Sequence, residues 1–234
     1  MCLSGRLRLV TALAPLVAAS LSLGCDNEAS VNFRTGELLF AVPATSLSLP
    51  GELREDGPSG ATIRALPCGP MGACPAAEAV TISCDAMVCD PEPTTVKVPV
   101  GDEVDIDAYA GEFEPLLRQV DAIEVREITY AVALNTLTVD LGELTLWWGP
   151  EGSSEGETHL GVVPPLSARE TRSGTVELDP TGNAALGEYL GGTSRRVRFF
   201  ARTRVDLRPG GAFPEGEAEV AVQVALRVTG PIVD

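Results

Sequence analysis

Cysteine supplies the most distinctive chemistry in this 234-residue chain, which contains six of them. Five, nine and four residues separate the members of a group that lies in a glycine- and proline-rich stretch: Cys68, Cys74, Cys84 and Cys89. In an oxidising compartment such a group forms two disulfides, and three pairings are possible. A four-cysteine zinc site is the alternative, but such sites use two tight knuckles, which this spacing does not provide.

The other ionisable side chains give weaker indications of a functional site than the cysteines do. Asp102, Asp105 and Asp107 offer the hard oxygen ligands that calcium prefers, but their spacing matches no calcium loop. A solvated strand face is therefore the favoured interpretation. His159, the only histidine, lies in an acidic, glycine-containing stretch over residues 151–159, where an exposed side chain is expected. A glycoside hydrolase would need a defined pair of carboxylates, and no spacing singles one out.

Arginines form a basic stripe at even positions of one predicted strand: Arg196, Arg198, Arg202 and Arg204. The stripe could hold an anionic sugar or polymer, and Arg202 and Arg204 are then the candidate contacts because they flank the middle of the strand. The favoured alternative is cross-strand pairing with Glu217 and Glu219 of the following strand. Lys97, the only lysine, is interpreted as a product of coding bias and not as a binding residue.

Residues 1–24 have the three parts of a secretory signal peptide: two arginines near the start, an apolar run and small residues before the cut. The apolar run is too short for a comfortable membrane span. Gly24-Cys25 resembles the end of the lipobox of bacterial lipoproteins, although Ser22 stands where that family usually has leucine. The resemblance implies that Cys25 carries lipid and begins the mature chain. An ordinary signal peptide cut near residues 18–20 is the alternative.

The number of cysteines agrees with lipidation. Cys2 leaves with the signal peptide, and a lipidated Cys25 leaves four cysteines that can pair completely. The resemblance therefore implies a protein of the cell envelope, periplasmic or on the outer surface, attached to the membrane through its N-terminal lipid.

The charge excludes several classes of partner. The formal net charge is −16, and it becomes −18 when the two arginines of residues 1–24 are removed. Nucleic acids and anionic lipid surfaces both require clustered Lys and Arg, so neither is an expected partner. No motif implies a cofactor.

Hydrophobic alternation predicts an all-β fold with short helices. A phase change at Asn135-Thr136 predicts a bulge, kink or turn. The last two strands are expected to form a hairpin through a loop at residues 208–216, and helices are expected at residues 112–120 and 184–190. Strands are predicted at residues 38–42, 96–100, 104–108, 123–134, 137–141, 144–148, 160–163, 175–178, 195–207 and 217–228.

These elements predict an antiparallel, immunoglobulin-like β-sandwich over residues 37–234. Residues 25–36 are expected to form a tether. A Cys/Pro/Gly-rich insertion at residues 51–95, in which only residues 80–82 resemble a strand, is expected to interrupt the sandwich.

Three functions follow as hypotheses. The first is a lipid-anchored, non-catalytic binding or structural module that contacts an envelope protein or polysaccharide. The second is an envelope hydrolase with a carboxylate pair. The third is a calcium-dependent adhesion domain that uses Asp102, Asp105 and Asp107.

Overall fold

Antiparallel strands dominate the structure, a computed structural model. It describes residues 20–23, 28–105, 108, 121–151, 156–192 and 196–231. Within these ranges two large sheets share one hydrophobic core. Two small hairpins lie in residues 51–95, which contain two disulfides and are called the disulfide-stapled segment. The predicted all-β, sandwich-like fold is confirmed.

The elements are numbered in chain order. The strands and the helix are β1 (Ser20–Leu23), β2 (Glu28–Arg34), β3 (Leu38–Pro43), β4 (Arg54–Gly57), β5 (Gly60–Ile63), β6 (Ile82–Asp85), β7 (Val88–Pro91), β8 (Thr94–Asp105), β9 (Ala122–Asn135), β10 (Leu144–Pro150), β11 (Thr158–Val163), β12 (Ser173–Thr175), β13 (Glu177–Leu178), α1 (Pro180–Gly191), β14 (Arg196–Val205) and β15 (Glu217–Pro231).

β15 is the central strand of the six-stranded sheet, in which five strands follow the order β1-β2-β15-β9-β12 and the sixth, β3, also pairs with β15. β9 pairs along one edge of β15, while β2 and β3 share the other edge end to end. The buried Thr35 joins these two strands, because its N–H donates to the Val224 carbonyl and its hydroxyl oxygen accepts from the Val224 N–H. As predicted, the even positions of β15 from Val220 to Val228 face the core.

β14 and β10 lie at the centre of the five-stranded sheet, whose order is β13-β11-β10-β14-β8. The odd positions of β14 are buried and most of its arginines face outward, as the alternation predicts. α1 packs against β9 and β11. Its cap is Asp179, which accepts a hydrogen bond from the Gly182 N–H at 2.7 Å, so the helix begins earlier than the predicted start at residue 184.

The predicted tether over residues 25–36 is wrong for residues 28–34. These residues form β2, which pairs with β15 from Glu28 to Arg34. Val31 and Phe33 are each only 1% exposed, because the apolar alternation of this short segment completes the core. β1, which falls within the predicted signal peptide, pairs with the outer edge of β2. Cleavage before Cys25 would remove β1 and leave β2 at the edge of the sheet.

The predicted hairpin between the last two strands is also wrong. β14 belongs to the five-stranded sheet and β15 to the six-stranded sheet, so residues 206–216 cross from one sheet to the other. Leu207 and Phe213 of this crossing are buried. Their burial closes one end of the core, a role that a hairpin loop would not fill.

Smaller corrections concern turns within the strands. The strands predicted at residues 96–100 and 104–108 are parts of one strand, because β8 runs continuously to Asp105 with a register shift opposite Val197 and Phe199. The phase change near Asn135 is a register shift between Val132 and Leu134, opposite Val220 and Glu219. Residues 137–141 are not a strand, although Leu137 and Leu141 are buried. The helix predicted at residues 112–120 lies outside the described residues.

The disulfide-stapled segment, residues 51–95, contains more strand than predicted. β4 pairs with β5, and β6 pairs with β7. The bonds are Cys68–Cys84 and Cys74–Cys89, with Cα–Cα distances of 5.9 and 5.6 Å. This pairing selects one of the three open connectivities and uses the sulfurs that a zinc site would need.

Candidate anion-binding face

Cationic and aromatic side chains meet on the outward side of the five-stranded sheet. We call this set the cation–aromatic face. Its members are Lys97 of β8, Trp147 of β10, Glu157 before β11, His159 of β11, and Arg198, Phe200 and Arg202 of β14.

Strand register brings these residues together. Arg202 lies opposite Lys97 on one side and Thr145 on the other. Phe200, two residues earlier, lies opposite Trp147, and Trp147 lies opposite His159. Because residues two apart on a strand share a face, the aromatic row and the cationic row lie side by side.

Two of the cations, Lys97 and Arg202, are stacked on aromatic rings. The Lys97 Nζ is 4.3 Å from the centroid of the Phe200 ring, and the Arg202 Cζ is 4.4 Å from the centroid of the Trp147 ring. Such cation–π contacts contribute about 0.5–1 kcal/mol each at exposed sites. Phe200 is buried although it points outward, since the cationic side chains cover it.

The two tryptophans divide between core and surface. Trp148 is buried, donates to the Gly182 carbonyl at 3.2 Å and packs on Tyr189. Trp147 is half-buried on the opposite side of β10 and donates to the Thr145 hydroxyl at 3.0 Å. This division is what strict alternation requires of neighbouring residues.

The Glu157 carboxylate joins the two cations. One of its oxygens accepts from Lys97 and the other from Arg202, and only 15% of the side chain is exposed. The hydrogen bond from Lys97 holds the pKa of the Glu157 carboxyl below its ordinary value of 4.5. The charges of Lys97, Arg202 and Arg198 act in the same direction, while burial opposes them.

The two arginines selected from the sequence differ in their surroundings. Arg202 belongs to the cation–aromatic face, whereas the exposed Arg204 pairs with Asp206 at 3.0 Å. The expected pairing with Glu217 and Glu219 is wrong, because those residues lie on β15 in the other sheet. The arginines of the stripe instead pair with acidic residues close to β14 in space: Arg196 with Asp105, Arg202 with Glu157 and Arg204 with Asp206.

The remaining predicted residues have separate positions. His159 is half-buried and meets Trp147 edge-on at 5.3 Å between ring centroids, so the expectation of an exposed loop histidine is wrong. Asp105, a candidate calcium ligand, pairs with Arg196 at 3.0 Å. Cys25, Asp107 and the side chain of Asp102 lie outside the description that the structure gives.

Sequence reasoning missed Lys97 and Glu157 as members of this face. The available signal for Lys97 was its alternation with buried valines in β8, which places it outward. Nothing local distinguishes Glu157 from the other acids of its loop, because its partners are 60 and 45 residues away in the sequence.

Among the described residues, no helix is both long and apolar enough to cross a membrane. The chain matches no protein-family model and no curated protein sequence. Among solved structures, a chain from Desmodium yellow mottle tymovirus is similar at 10% identity, with 71% of this chain and 97% of that chain covered and a TM-score of 0.27. A similarity at this level says nothing about function. The fold and the face define an acidic, all-β sandwich-like protein with a cationic patch on the outward side of its five-stranded sheet.

Proposed function

We propose that this chain is a lipid-anchored, non-catalytic binding module of the bacterial cell envelope that contacts an anionic polysaccharide through the cation–aromatic face. The observation that carries the proposal is the meeting of Lys97, Arg198 and Arg202 on one sheet face of a chain whose net charge is −16. A cationic surface in an otherwise acidic protein directs an anionic ligand to that surface.

The environment of Glu157 favours binding over acid–base chemistry. A general acid at neutral pH needs a raised pKa, whereas the cations hold the pKa of Glu157 low. The half-buried rings of Trp147 and His159, beside the cations, offer apolar contact area for a sugar ring.

The anchor is supported by Gly24-Cys25 and by the use of all four downstream cysteines in disulfides. Because β2 begins at Glu28, only Asp26 and Asn27 separate it from Cys25, and the chain from Cys25 to Glu28 can span at most about 11 Å. A lipidated protein would thus lie directly on the bilayer surface and not at the end of a tether.

Measurements of polysaccharide binding test whether the cation–aromatic face is the binding site. We expect wild-type protein to bind polygalacturonate and not neutral dextran, with weaker binding as salt rises. Arg202→Gln should lower the affinity about tenfold, the loss expected for a charged hydrogen bond of about 1.4 kcal/mol. Arg204→Gln is the matched control, since it removes the same charge from the same strand outside the face. Equal losses in the two variants would show that only net charge matters.

Mass spectrometry tests the anchor. We expect protein extracted from membranes to begin at Cys25 and to carry diacylglycerol and acyl groups, and reduction should add four hydrogens for the two disulfides. An unlipidated mass that begins before Cys25 would remove the membrane-anchor part of the proposal.

A further inference from the structure

The two central cations of the face have contacts besides those with Glu157. Lys97 and Arg202 are neighbours in the register of β8 and β14, and each is stacked on a ring. The Thr145 hydroxyl donates to the Arg202 carbonyl at 3.2 Å, which adds a contact from β10. The paired strands and the aromatic rings therefore hold this cation pair in advance of any ligand.

Glu157 is held differently. It precedes β11, which begins at Thr158, and it follows Gly156, whose φ of +82° favours glycine. No ladder pairing of β11 includes it. Because ion pairs of a flexible side chain hold the Glu157 carboxylate in the site, rotation of that side chain can withdraw the carboxylate while the cation pair stays in place.

The charge of the site also favours exchange. With Glu157 bound, one carboxylate faces two cations, and Arg198 is close enough to act on the same carboxyl group. The site thus stays cationic when it is filled. An incoming anion is attracted before Glu157 leaves.

We propose that Lys97 and Arg202 form a carboxylate-binding site that Glu157 occupies in the ligand-free protein and that the carboxylate of a uronic acid occupies in the complex. The inference rests on the proposed function and names its ligand class. The two cations bind one oxygen each of a planar carboxylate, and a uronate carboxylate offers the same two oxygens. Trp147 and His159 lie beside the cations where the sugar ring attached to that carboxylate would extend.

The test is isothermal titration calorimetry with D-glucuronate, and with D-glucose and glucose 6-sulfate as the neutral and non-carboxylate probes. Glu157→Gln removes the internal competitor and keeps the shape of the side chain. We expect this variant to bind glucuronate about tenfold more tightly than wild type, because the Glu157 carboxylate no longer competes with the ligand for Lys97 and Arg202. Adding Arg202→Gln to this variant should abolish the gain.

Glu151→Gln is the matched control. Glu151 belongs to the same acidic connection but pairs with Arg196 at 3.4 Å, away from the cation pair. An equal gain in Glu151→Gln would overturn the proposal, because it would assign the effect to net charge. No gain in Glu157→Gln, with a melting temperature close to that of wild type, would overturn it as well. A gain for glucose 6-sulfate equal to that for glucuronate would remove the carboxylate assignment.

The outcomes separate this inference from the proposed function. If polygalacturonate binding depends on Arg202 but glucuronate binding does not increase in Glu157→Gln, the binding face stands and the exchange fails. If glucuronate binds Glu157→Gln while polygalacturonate does not bind wild type, the carboxylate site stands and the polysaccharide role fails.

Discussion

In the sandwich, alternate residues of strands up to 15 residues long point into one core. The strands of the disulfide-stapled segment are only four residues long, and two disulfides tie β6 and β7 to Cys68 and Cys74, which lie outside the strands. β4 is exposed along its whole length. The segment sends a few side chains into the shared core, namely Leu53, Ile63, Val80 and Cys89. The sandwich is thus stabilised mainly by burial and the segment mainly by cross-links.

Backbone strain is more frequent in the stapled segment, although Ser48 and Arg169 outside it also have positive φ. Met71, Ala86 and Met87, three of the non-glycine residues with positive φ, lie in the stapled segment. Such conformations cost about 1–2 kcal/mol per residue. Cross-links allow turns that the local sequence does not favour, while the sandwich relies on alternation that agrees with its strands.

The largest effect is expected from the sandwich core. Phe33→Ala in β2 should lower the free energy of unfolding by about 3–5 kcal/mol, because it opens a cavity at a buried aromatic residue. Urea unfolding measures the change. Leu39→Ala, at a residue that is 61% exposed, is the control and should change stability by less than about 0.5 kcal/mol. A negligible cost at Phe33 would restore the tether that the sequence predicts for residues 25–36.

The second effect concerns the cross-links. Replacing both Cys74 and Cys89 with alanine should remove about 3 kcal/mol, because the bond closes a loop with a sequence separation of 15. Hydrogen exchange should accelerate in β6 and β7 and stay slow in β15, since β15 does not depend on the bond. Faster exchange throughout β15 would mean that the segment and the sandwich unfold together and that our division is wrong.

A smaller effect concerns strain. Met87 has φ +69° and is 74% exposed, so glycine fits its backbone and no core contact is lost. We expect Met87→Gly to stabilise the protein by about 0.5–1 kcal/mol, the relief of a left-handed residue less the added freedom of the unfolded chain. Val88→Gly, one residue later in β7, should destabilise it. Thermal melts of both variants measure the contrast, and loss of stability in Met87→Gly would contradict the strain assignment.

The smallest effect lies on the outer face of the sandwich and depends on pH. Because the folded-state pKa of Glu157 is lowered from 4.5, its ion pairs stabilise the protein above that value and lose their effect as pH falls through the folded-state pKa. Wild type should melt slightly above Glu157→Gln at pH 7, and the difference should shrink as the pH falls through the folded-state pKa of Glu157.

NMR titration of the Glu157 carboxyl group gives a direct measurement of the same effect. Lys97→Met removes the first cause of the shift, so the Glu157 pKa should rise toward its ordinary value in that variant. A wild-type pKa at or above 4.5 would contradict the ion-pair geometry.

Sequence pattern predicted what depends on neighbours along the chain. The alternation in β14 and β15 identified which side chains are buried. The composition of residues 51–95 identified a cross-linked segment. These features follow from the two-residue period of a strand and from the ability of four closely spaced cysteines to pair with one another.

Tertiary structure decided which strands are partners. Alternation predicts which face of a strand is buried but not which strand pairs with it. For this reason the sequence predicted a hairpin of β14 and β15, although the two strands belong to different sheets. β2 was not predicted for the same reason, because its seven residues are stabilised by pairing with β15, which is distant in the sequence. Glu157 meets Lys97 and Arg202 only after β8, β14 and β11 have assembled, because side chains distant in sequence become neighbours only through strand pairing.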